Sequence, residues 1–245
     1  MTVAVVTGAS RGLGAGMAGR FLERGLTVAA CARTEPALPG ALTTAVDVAD
    51  ATSVAAFTER VAAELGPIHL WVNNAGVLDP VGPLRDLDPA EVEAHLRVNV
   101  MGVVHGTQAY VRHVRARASS PGQIRGGVLV NISSGAALRG RAGWAAYCAG
   151  KAAVDRITES IQLEEEDAGL RAYAVAPGVI DTDMQLQIRA TEPDRFPDVG
   201  QFQDLKRRGA FNTPGYVADQ ILAIAFEPSR RPDTVVLRLP PEHPY

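Results

Sequence analysis

Short, valine-rich apolar stretches alternate with longer amphipathic stretches along the whole chain. Nearly continuous hydrophobic runs are typical of parallel strands buried on both faces, whereas apolar residues at helical spacing indicate helices packed against such a sheet. The pattern predicts strands at residues 2–6, 26–31, 42–46, 68–72, 127–132, 171–176 and 233–239, and helices near residues 12–24, 51–65, 89–117, 144–168 and 214–226.

The order of these elements predicts the fold. Strands that alternate with helices form βαβ crossovers, so we expect a single α/β domain over residues 1–245. This domain would be a Rossmann-type, doubly wound parallel sheet of about seven strands with helices on both faces. Residues 185–213 depart from the pattern, because they form a long polar stretch with two prolines. Segments of this kind are often functional, and we expect a loop here that contacts the substrate.

The composition narrows the function classes. The chain has 245 residues, a net charge of −3 and 21% charged residues, without the clustered positive charge that nucleic-acid binding requires. The sequence predicts no signal peptide, and no apolar run reaches the ~18 residues of a membrane span. Cys31 and Cys148 lie among apolar or small residues, and the histidines show no metal-ligand spacing. We expect a cytoplasmic protein with no membrane partner, no nucleic-acid partner and no metal site.

A glycine-rich turn links the first predicted strand to the first predicted helix. The stretch VVTGASRGLG places Gly8, Gly12 and Gly14 in the spacing G-x-x-x-G-x-G. Glycine permits a tight turn and a close approach of the backbone to a phosphate, and the following helix offers unpaired N–H groups with a partial positive charge. This placement predicts a site for the pyrophosphate of a dinucleotide.

The end of the second predicted strand bears on the type of dinucleotide. A site for NAD commonly has an acidic residue there, which binds the ribose 2′-hydroxyl. This chain reads CARTEP instead, with Arg33 at the strand end, and Arg11 lies in the glycine turn. Guanidinium groups form paired hydrogen bonds with phosphate, so the two arginines favour the 2′-phosphate of NADP(H).

The stretch YCAGK places Tyr147 and Lys151 one helical turn apart, on the same face of a helix. A positive charge held beside a phenol favours the phenolate. We therefore expect Lys151 to lower the pKa of Tyr147. A tyrosine with such a pKa is suited to proton transfer at a carbonyl oxygen.

Two further motifs reveal a family resemblance. NNAG occupies residues 73–76 and NISS occupies residues 131–134, each directly after a predicted strand. Together with the glycine turn and YCAGK, they resemble the motifs of the short-chain dehydrogenase/reductase family over essentially the whole chain. The longer stretches GWAAYCAGKAAVD and APGVIDTDMQ are similar to the sepiapterin reductase and benzil reductase branch of that family.

The resemblance implies a catalytic set of four residues. Tyr147 would donate a proton to the carbonyl oxygen, Ser134 would stabilise that oxygen, and Lys151 would hold the nicotinamide ribose. Asn99, in RVNVMG, would anchor a water in the proton relay to Lys151. Together with the glycine turn and the two arginines, the resemblance implies these cofactor contacts: Gly8, Ser10, Arg11, Gly12, Leu13, Gly14, Arg33, Asp47, Val48, Asn74, Ala75, Gly76, Tyr147, Lys151, Pro177, Gly178 and Thr182.

The resemblance also bears on the substrate. Sepiapterin reductases carry an acidic residue in the last strand that binds the pterin, whereas this chain reads TVVLRLPP, with Arg238 as the only charge. This departure counts against a pterin and favours a small ketone or α-diketone reduced with NADPH, with Trp144 and Met184 as candidate substrate contacts. A 3-ketoacyl or polyketide-type reductase, an alcohol dehydrogenase and a non-catalytic regulator that senses NADP remain alternatives. Self-association is common in the family, so we expect a homodimer or homotetramer.

Overall fold

A parallel sheet of seven strands runs through the part of the chain that the computed structural model describes, residues 1–118 and 126–243. The strands are β1 (Val3–Thr7), β2 (Thr27–Ala32), β3 (Leu42–Ala45), β4 (Ile68–Asn73), β5 (Gly127–Ile132), β6 (Leu170–Ala176) and β7 (Val236–Arg238). Their order in the sheet is β3-β2-β1-β4-β5-β6-β7, and each neighbouring pair is parallel. This is the doubly wound arrangement that the sequence predicts.

Eight α-helices connect and cover the strands in this part of the chain. They are α1 (Gly12–Glu23), α2 (Ala51–Leu65), α3 (Pro89–Leu96), α4 (Gly102–Ala118), α5 (Ala145–Glu165), α6 (Asp183–Ala190), α7 (Val199–Arg208) and α8 (Pro214–Phe226). None of the helices in the described residues combines the length and the apolar character that a membrane span needs.

Side chains alternate along the strands between two hydrophobic cores, one on each face of the sheet. In β1, Val6 packs in the core that contains Phe21 of α1. Its neighbour Val5 packs in the opposite core, with Phe57 of α2 and Tyr110 of α4. Because both faces are covered, both sets of side chains are apolar, which explains the continuous hydrophobic runs in the strands.

The strand order reverses between β1 and β4, and a crevice opens at their carboxyl ends. The side chain of Thr7 joins the two sides of this crevice, since its Oγ1 accepts hydrogen bonds from the backbone N–H groups of Asn74 and Ala75 at 3.0 and 3.1 Å. The Nδ2 of Asn74 donates in return to the carbonyl oxygens of Thr7 and Gly8, at 2.9 and 3.2 Å. These bonds hold the turn after β1 against the turn after β4.

The single helix predicted over residues 89–117 is interrupted in the structure. A π-helical turn covers Arg97–Met101, between α3 and α4. It contains Asn99, whose Nδ2 donates to the carbonyl oxygen of Val77 and whose Oδ1 accepts from the Val77 N–H, both at 2.8 Å. A π turn adds one residue to the helical ladder and is frequent at functional sites. The spacing of apolar residues does not reveal such an insertion, so the sequence predicted one continuous helix.

The irregular loop predicted for residues 185–213 is also incorrect, because the segment contains most of α6 and all of α7. Phe196 and Phe202 are buried within it, and α7 ends at Gly209, which takes the left-handed conformation with φ of +60°. A few apolar side chains are therefore enough to dock two short helices. Because their outer faces are polar and the segment contains two prolines, the sequence pattern is typical of a loop.

Candidate active site

A cleft of about 1020 Å³ opens at the carboxyl ends of the strands. It is lined by Ser134 and by the whole set of predicted cofactor contacts, from Gly8 to Thr182. The predicted substrate contacts Trp144 and Met184 line it as well. Asn99 does not line the cleft but lies beneath it, with 1% of its surface exposed. The fold thus brings nearly all of the predicted site residues to one cleft.

The glycine turn at one end of the cleft fits a pyrophosphate. Gly8 has a φ of +67°, and a Cβ on Gly14 would lie only 2.3 Å from the carbonyl oxygen of Gly8, so both positions require glycine. Helix α1 begins at Gly12, and the side chain of Arg11, which precedes it, makes no capping hydrogen bond. The N–H groups of the first helical turn are therefore free to bind an anion.

The two arginines predicted to select NADP(H) differ in their surroundings. Arg11 is exposed, and its Nη1 forms an ion pair with Asp183 at 2.9 Å. Arg33 is also exposed and lines the cleft, and it has no hydrogen-bond or ion-pair partner within residues 1–118 and 126–243. Arg33 is thus the guanidinium that is available without breaking an existing ion pair.

Ser134, Tyr147 and Lys151 lie together at the centre of the cleft. Ser134 lies two residues after the end of β5 and directly before a short 3₁₀ turn, Gly135–Ala137. Its Oγ accepts a hydrogen bond from the Ala136 N–H at 3.1 Å. Tyr147 and Lys151 project from the first turns of α5, and both are buried. The Nζ of Lys151 donates to the carbonyl oxygen of Ile132 at 2.8 Å and lies 5.8 Å from the centre of the Tyr147 ring.

The pKa shift of Tyr147 differs from the expectation drawn from the sequence. Burial raises the pKa of Tyr147 above its usual value, and hydrogen bonding to Ser134 lowers it by less. Burial also lowers the pKa of Lys151 to about 8. The predicted lowering of the tyrosine pKa by Lys151 is therefore wrong for this structure. The physical reason is that burial penalises the charged forms of both groups, and that the ammonium is directed at the Ile132 carbonyl.

Asp155 is a residue of this site that sequence reasoning missed. It lies one turn after Lys151 on α5 and raises the pKa of that lysine through its charge. Ser133 Oγ donates a hydrogen bond to Asp155 Oδ1 at 2.5 Å, so this hydroxyl is engaged by the carboxylate and holds it in place. The spacing of four residues between Lys151 and Asp155 was the available signal.

His95 is a second missed residue. It is 1% exposed, lies in α3 one turn before Asn99, and contacts Tyr147 edge-to-face with 6.1 Å between the ring centres. His95 lies in a stretch predicted to be an amphipathic helix, and nothing in the sequence indicates that its side chain is buried against Tyr147. Within the described ranges, no group of three or more histidine, cysteine or acidic residues is arranged to hold a metal ion.

An aromatic wall, formed by Trp144, Phe196 and Phe202, borders the cleft next to Tyr147. Trp144 and Phe196 stack with 4.4 Å between ring centres and 6° between planes, and Phe202 packs against both. Trp144 also meets the Tyr147 ring edge-to-face at 5.4 Å. Arg141 covers the wall and is paired with Asp198 at 2.5 Å. The wall therefore attaches the α6–α7 segment to the start of α5.

The comparison with known families agrees with this geometry. The family described as short chain dehydrogenase matches residues 2–193. The chain belongs to this family. It is thus an oxidoreductase that acts on CH–OH or C=O groups with a nicotinamide cofactor.

Individual relatives cover almost the whole chain of this short-chain dehydrogenase. A benzil reductase of Bacillus cereus that forms (S)-benzoin is 29% identical over 98% of this chain and 99% of its own length. The crystal structure of the KRED1-Pglu enzyme matches with a TM-score of 0.85 and 30% identity, over 97% of this chain and all of that one (100%). A 3-ketoacyl-(acyl-carrier-protein) reductase of Brucella melitensis in complex with NADH matches with a TM-score of 0.82 and 27% identity, over 97% of this chain and 96% of that one.

Proposed function

We propose that this protein is an NADPH-dependent carbonyl reductase that acts on a small ketone or α-diketone. The observation that carries the proposal is the presence of Ser134, Tyr147 and Lys151 in the cleft that also contains the glycine turn. Two hydroxyl groups and an ammonium group are the set that reduction of a carbonyl requires, because negative charge develops on the oxygen while a proton must reach it.

The bound dinucleotide would supply the hydride for the carbonyl carbon. In the proposed mechanism, the hydroxyl groups of Ser134 and Tyr147 hold the carbonyl oxygen by hydrogen bonds. Tyr147 then transfers its proton to that oxygen. Its raised pKa keeps the phenol protonated at neutral pH, which is the form that a proton donor needs. Lys151, whose Nζ lies 5.8 Å from the centre of the Tyr147 ring, would hold the ribose of the nicotinamide beside the proton donor.

The remaining predicted cofactor contacts are distributed along the cleft. The N–H groups at the start of α1 would bind the pyrophosphate, and the backbone at Asn74 and Ala75 would contact the ribose. Pro177, Gly178 and Thr182, after the end of β6, would hold the nicotinamide. Asn99 keeps the loop at Val77 in place through its two hydrogen bonds and so shapes the cleft from below.

The preference for NADPH over NADH rests on the end of β2. Arg33 follows the last residue of this strand directly and has no partner among the described residues, while the run from Cys31 to Thr34 holds no carboxylate for a ribose hydroxyl. A free guanidinium at this place binds the 2′-phosphate through paired hydrogen bonds. Arg11 would bind the 2′-phosphate only after its ion pair with Asp183 is broken.

The aromatic wall favours a small substrate with a flat, apolar part next to the carbonyl. Trp144 and Phe202 line the cleft beside Tyr147, and the similar Bacillus cereus protein is a benzil reductase, whose name includes an aromatic diketone. A 3-ketoacyl reductase is the second candidate, because the Brucella melitensis structure is similar over nearly the whole chain.

Replacement of Tyr147 by Phe tests the proposal. We expect the variant to bind NADPH with unchanged affinity and to lose turnover of benzil by about a hundredfold or more, as is typical when a general acid is removed. Binding is measured by fluorescence titration and turnover by the loss of dihydronicotinamide absorbance. Tyr216→Phe is the matched control, since the Tyr216 hydroxyl donates to Pro240 outside the cleft. Full turnover by Tyr147→Phe would contradict the mechanism, and NADPH binding by a wild-type protein inactive on every carbonyl compound would favour a non-catalytic regulator.

A further inference from the structure

Arg238 brings a positive charge to the substrate end of the cleft. It is the last residue of β7 and pairs with Ala176 at the carboxyl end of β6, and its side chain lines the cleft. A Cβ built on Gly135 would lie 3.7 Å from Arg238 Nη2 and 4.0 Å from its Cζ. The guanidinium therefore lies over the residue that directly follows Ser134.

This charge is not neutralised by a neighbouring side chain. Arg238 has no hydrogen-bond or ion-pair partner in residues 1–118 and 126–243. Arg141, in the same cleft, is paired with Asp198, and Arg11 is paired with Asp183. Glu242, the next acidic residue along the chain, accepts hydrogen bonds from the Thr213 N–H and hydroxyl at 2.6 and 3.1 Å and is held there.

None of the acidic side chains that line the cleft pairs with Arg238. Asp79 follows β4, which is separated from β7 by β5 and β6, so the two strand ends are roughly 14 Å apart at the usual strand spacing. Asp47 follows β3, at the far edge of the sheet. Asp183 already pairs with Arg11. The side of the cleft next to Ser134 is therefore positive without compensation.

A second donor lies on the same side. The indole N–H of Trp144 is buried and has no hydrogen-bond partner in the described residues, although Trp144 lines the cleft. Trp144 packs in one apolar cluster with Ala136, the neighbour of Gly135. A buried donor without a partner is unfavourable, and an acceptor on a ligand removes that cost. Arg238 lies next to Gly135, and Trp144 packs in one cluster with Ala136, so both donors belong to the surroundings of the turn after Ser134.

We propose that the substrate of this reductase is a ketone that carries a carboxylate close to its carbonyl group, with Arg238 holding the carboxylate. The planar guanidinium forms two parallel hydrogen bonds with such a group. The ketone oxygen then meets Ser134 and Tyr147, and the apolar part of the substrate packs on the aromatic wall. This inference rests on the proposed carbonyl reductase function and names 2-oxo acids and similar anions as the preferred substrates within that class.

A pair of matched substrates tests the inference: phenylglyoxylate and its methyl ester, which have the same ketone and differ in charge. With wild-type protein and NADPH we expect a higher kcat/KM for the acid. Arg238→Gln should raise the KM for the acid about tenfold or more and leave kcat/KM for the ester within about twofold, because only the acid loses a charge-assisted bond. Arg230→Gln, at an exposed arginine in the Pro228–Arg230 turn, is the matched control and should behave as wild type.

The outcomes separate the inference from the function on which it rests. Turnover of the ester by the wild-type protein supports the reductase function by itself. Equal losses for acid and ester in Arg238→Gln, no loss for either, or a raised KM for NADPH alone would overturn the role of Arg238. If neither compound is turned over, calorimetric binding of phenylglyoxylate to the NADP⁺ complex decides. Binding that is strong in wild type and lost in Arg238→Gln supports the inference, and equal binding contradicts it.

Discussion

The Nδ2 of Asn99 donates a hydrogen bond to the Nε2 of His95, over 2.8 Å. The other ring nitrogen of His95, Nδ1, lies 2.6 Å from the carbonyl oxygen of Asp79. Because a carbonyl only accepts, Nδ1 carries the hydrogen and Nε2 is the bare acceptor. Neutral His95 therefore joins Asn99 to the loop after β4 that lines the cleft. Burial lowers the pKa of His95, and the positive charge of Lys151 acts in the same direction.

The first prediction concerns this histidine. His95→Leu should lower kcat by about tenfold to a hundredfold, because Asn99 and the loop at Val77 lose their alignment. His95→Gln should retain most of the activity, since its amide oxygen can accept the same hydrogen bond. The measurement is kcat with benzil for both variants, with thermal unfolding as the control for stability. Wild-type kcat in His95→Leu would show that the histidine only fills space.

The same contact predicts a pH dependence. Protonated His95 would direct an N–H at the Asn99 N–H, so turnover should fall as the pH drops through the histidine pKa, which lies below its usual value. The group is neutral and functional above that pKa. Because the glutamine side chain does not titrate, the acidic fall should be absent from the kcat profile of His95→Gln. An identical acidic limb in this variant would assign the titration to another group.

The pKa of Lys151 can be measured directly, because the chain has two lysines, Lys151 and Lys206. NMR of protein labelled at lysine should show one lysine that titrates at about 8. Lys206→Arg assigns the signals. Asp155→Asn should shift the Lys151 pKa further down, because Asp155 is the charge that raises it. Titration of Lys151 near 10.5 would contradict the burial of its ammonium.

Stability should respond to this same pKa. A lysine whose pKa falls from 10.5 to about 8 on folding binds its proton less firmly in the native state. Between these two values the unfolded chain holds more protons, so stability rises with pH there. The free energy of unfolding of wild type, relative to Lys151→Met, should therefore rise by up to roughly 3 kcal/mol from pH ~8 to pH ~10.5. A constant difference in denaturant titrations across this window would contradict the prediction.

Two glycines of α1 provide a matched pair of substitutions. A Cβ at Gly14 would lie 2.4 Å from Asn74 Nδ2 as well as 2.3 Å from the Gly8 carbonyl oxygen, whereas a Cβ at Gly19 meets no atom within 4 Å. Gly14→Ala should lower the melting temperature and weaken NADPH binding. Gly19→Ala should stabilise the helix by about 0.5–1 kcal/mol without affecting binding. Unchanged NADPH affinity in Gly14→Ala would show that the turn does not hold the phosphates.

Cofactor choice gives the last prediction. Arg33→Ala should raise the KM for NADPH much more than that for NADH, because only NADPH carries the 2′-phosphate. Arg11→Ala should have the smaller effect, since that guanidinium is already engaged by Asp183. Steady-state kinetics with both cofactors measures this. Equal changes in the two KM values for Arg33→Ala would remove the basis for NADP(H) selection.

The sequence predicted the fold well, for a physical reason. Strands buried on both faces must be apolar throughout, so β1 to β6 lie within about one residue of the predicted positions, and their parallel direction follows from the βαβ connections. The candidate catalytic residues Ser134, Tyr147 and Lys151 could be named from the sequence because they belong to short motifs, and the structure brings them to one cleft.

What the sequence could not show depends on contacts between distant segments. The π turn at Asn99 reflects hydrogen bonds to Val77, 22 positions away. Burial is the main cause of the pKa shifts of Tyr147 and Lys151, and burial arises only when α5 packs on the sheet. The helices of residues 185–213 form against Trp144, and their own composition resembles that of a loop.

The aromatic wall has a consequence for how this protein can evolve. Phe196 and Phe202 belong to the α6–α7 segment and stack on Trp144, and Trp144 in turn touches Tyr147. Lys151 and Asp155 lie further along α5 and pack toward β5. Mutations at Phe196 or Phe202 can therefore reshape the space offered to a new compound while Tyr147, the proposed proton donor, and the charged groups of Lys151 and Asp155 remain unchanged. Substrate specificity can therefore change through mutations at these two positions without a loss of the residues proposed to transfer the proton.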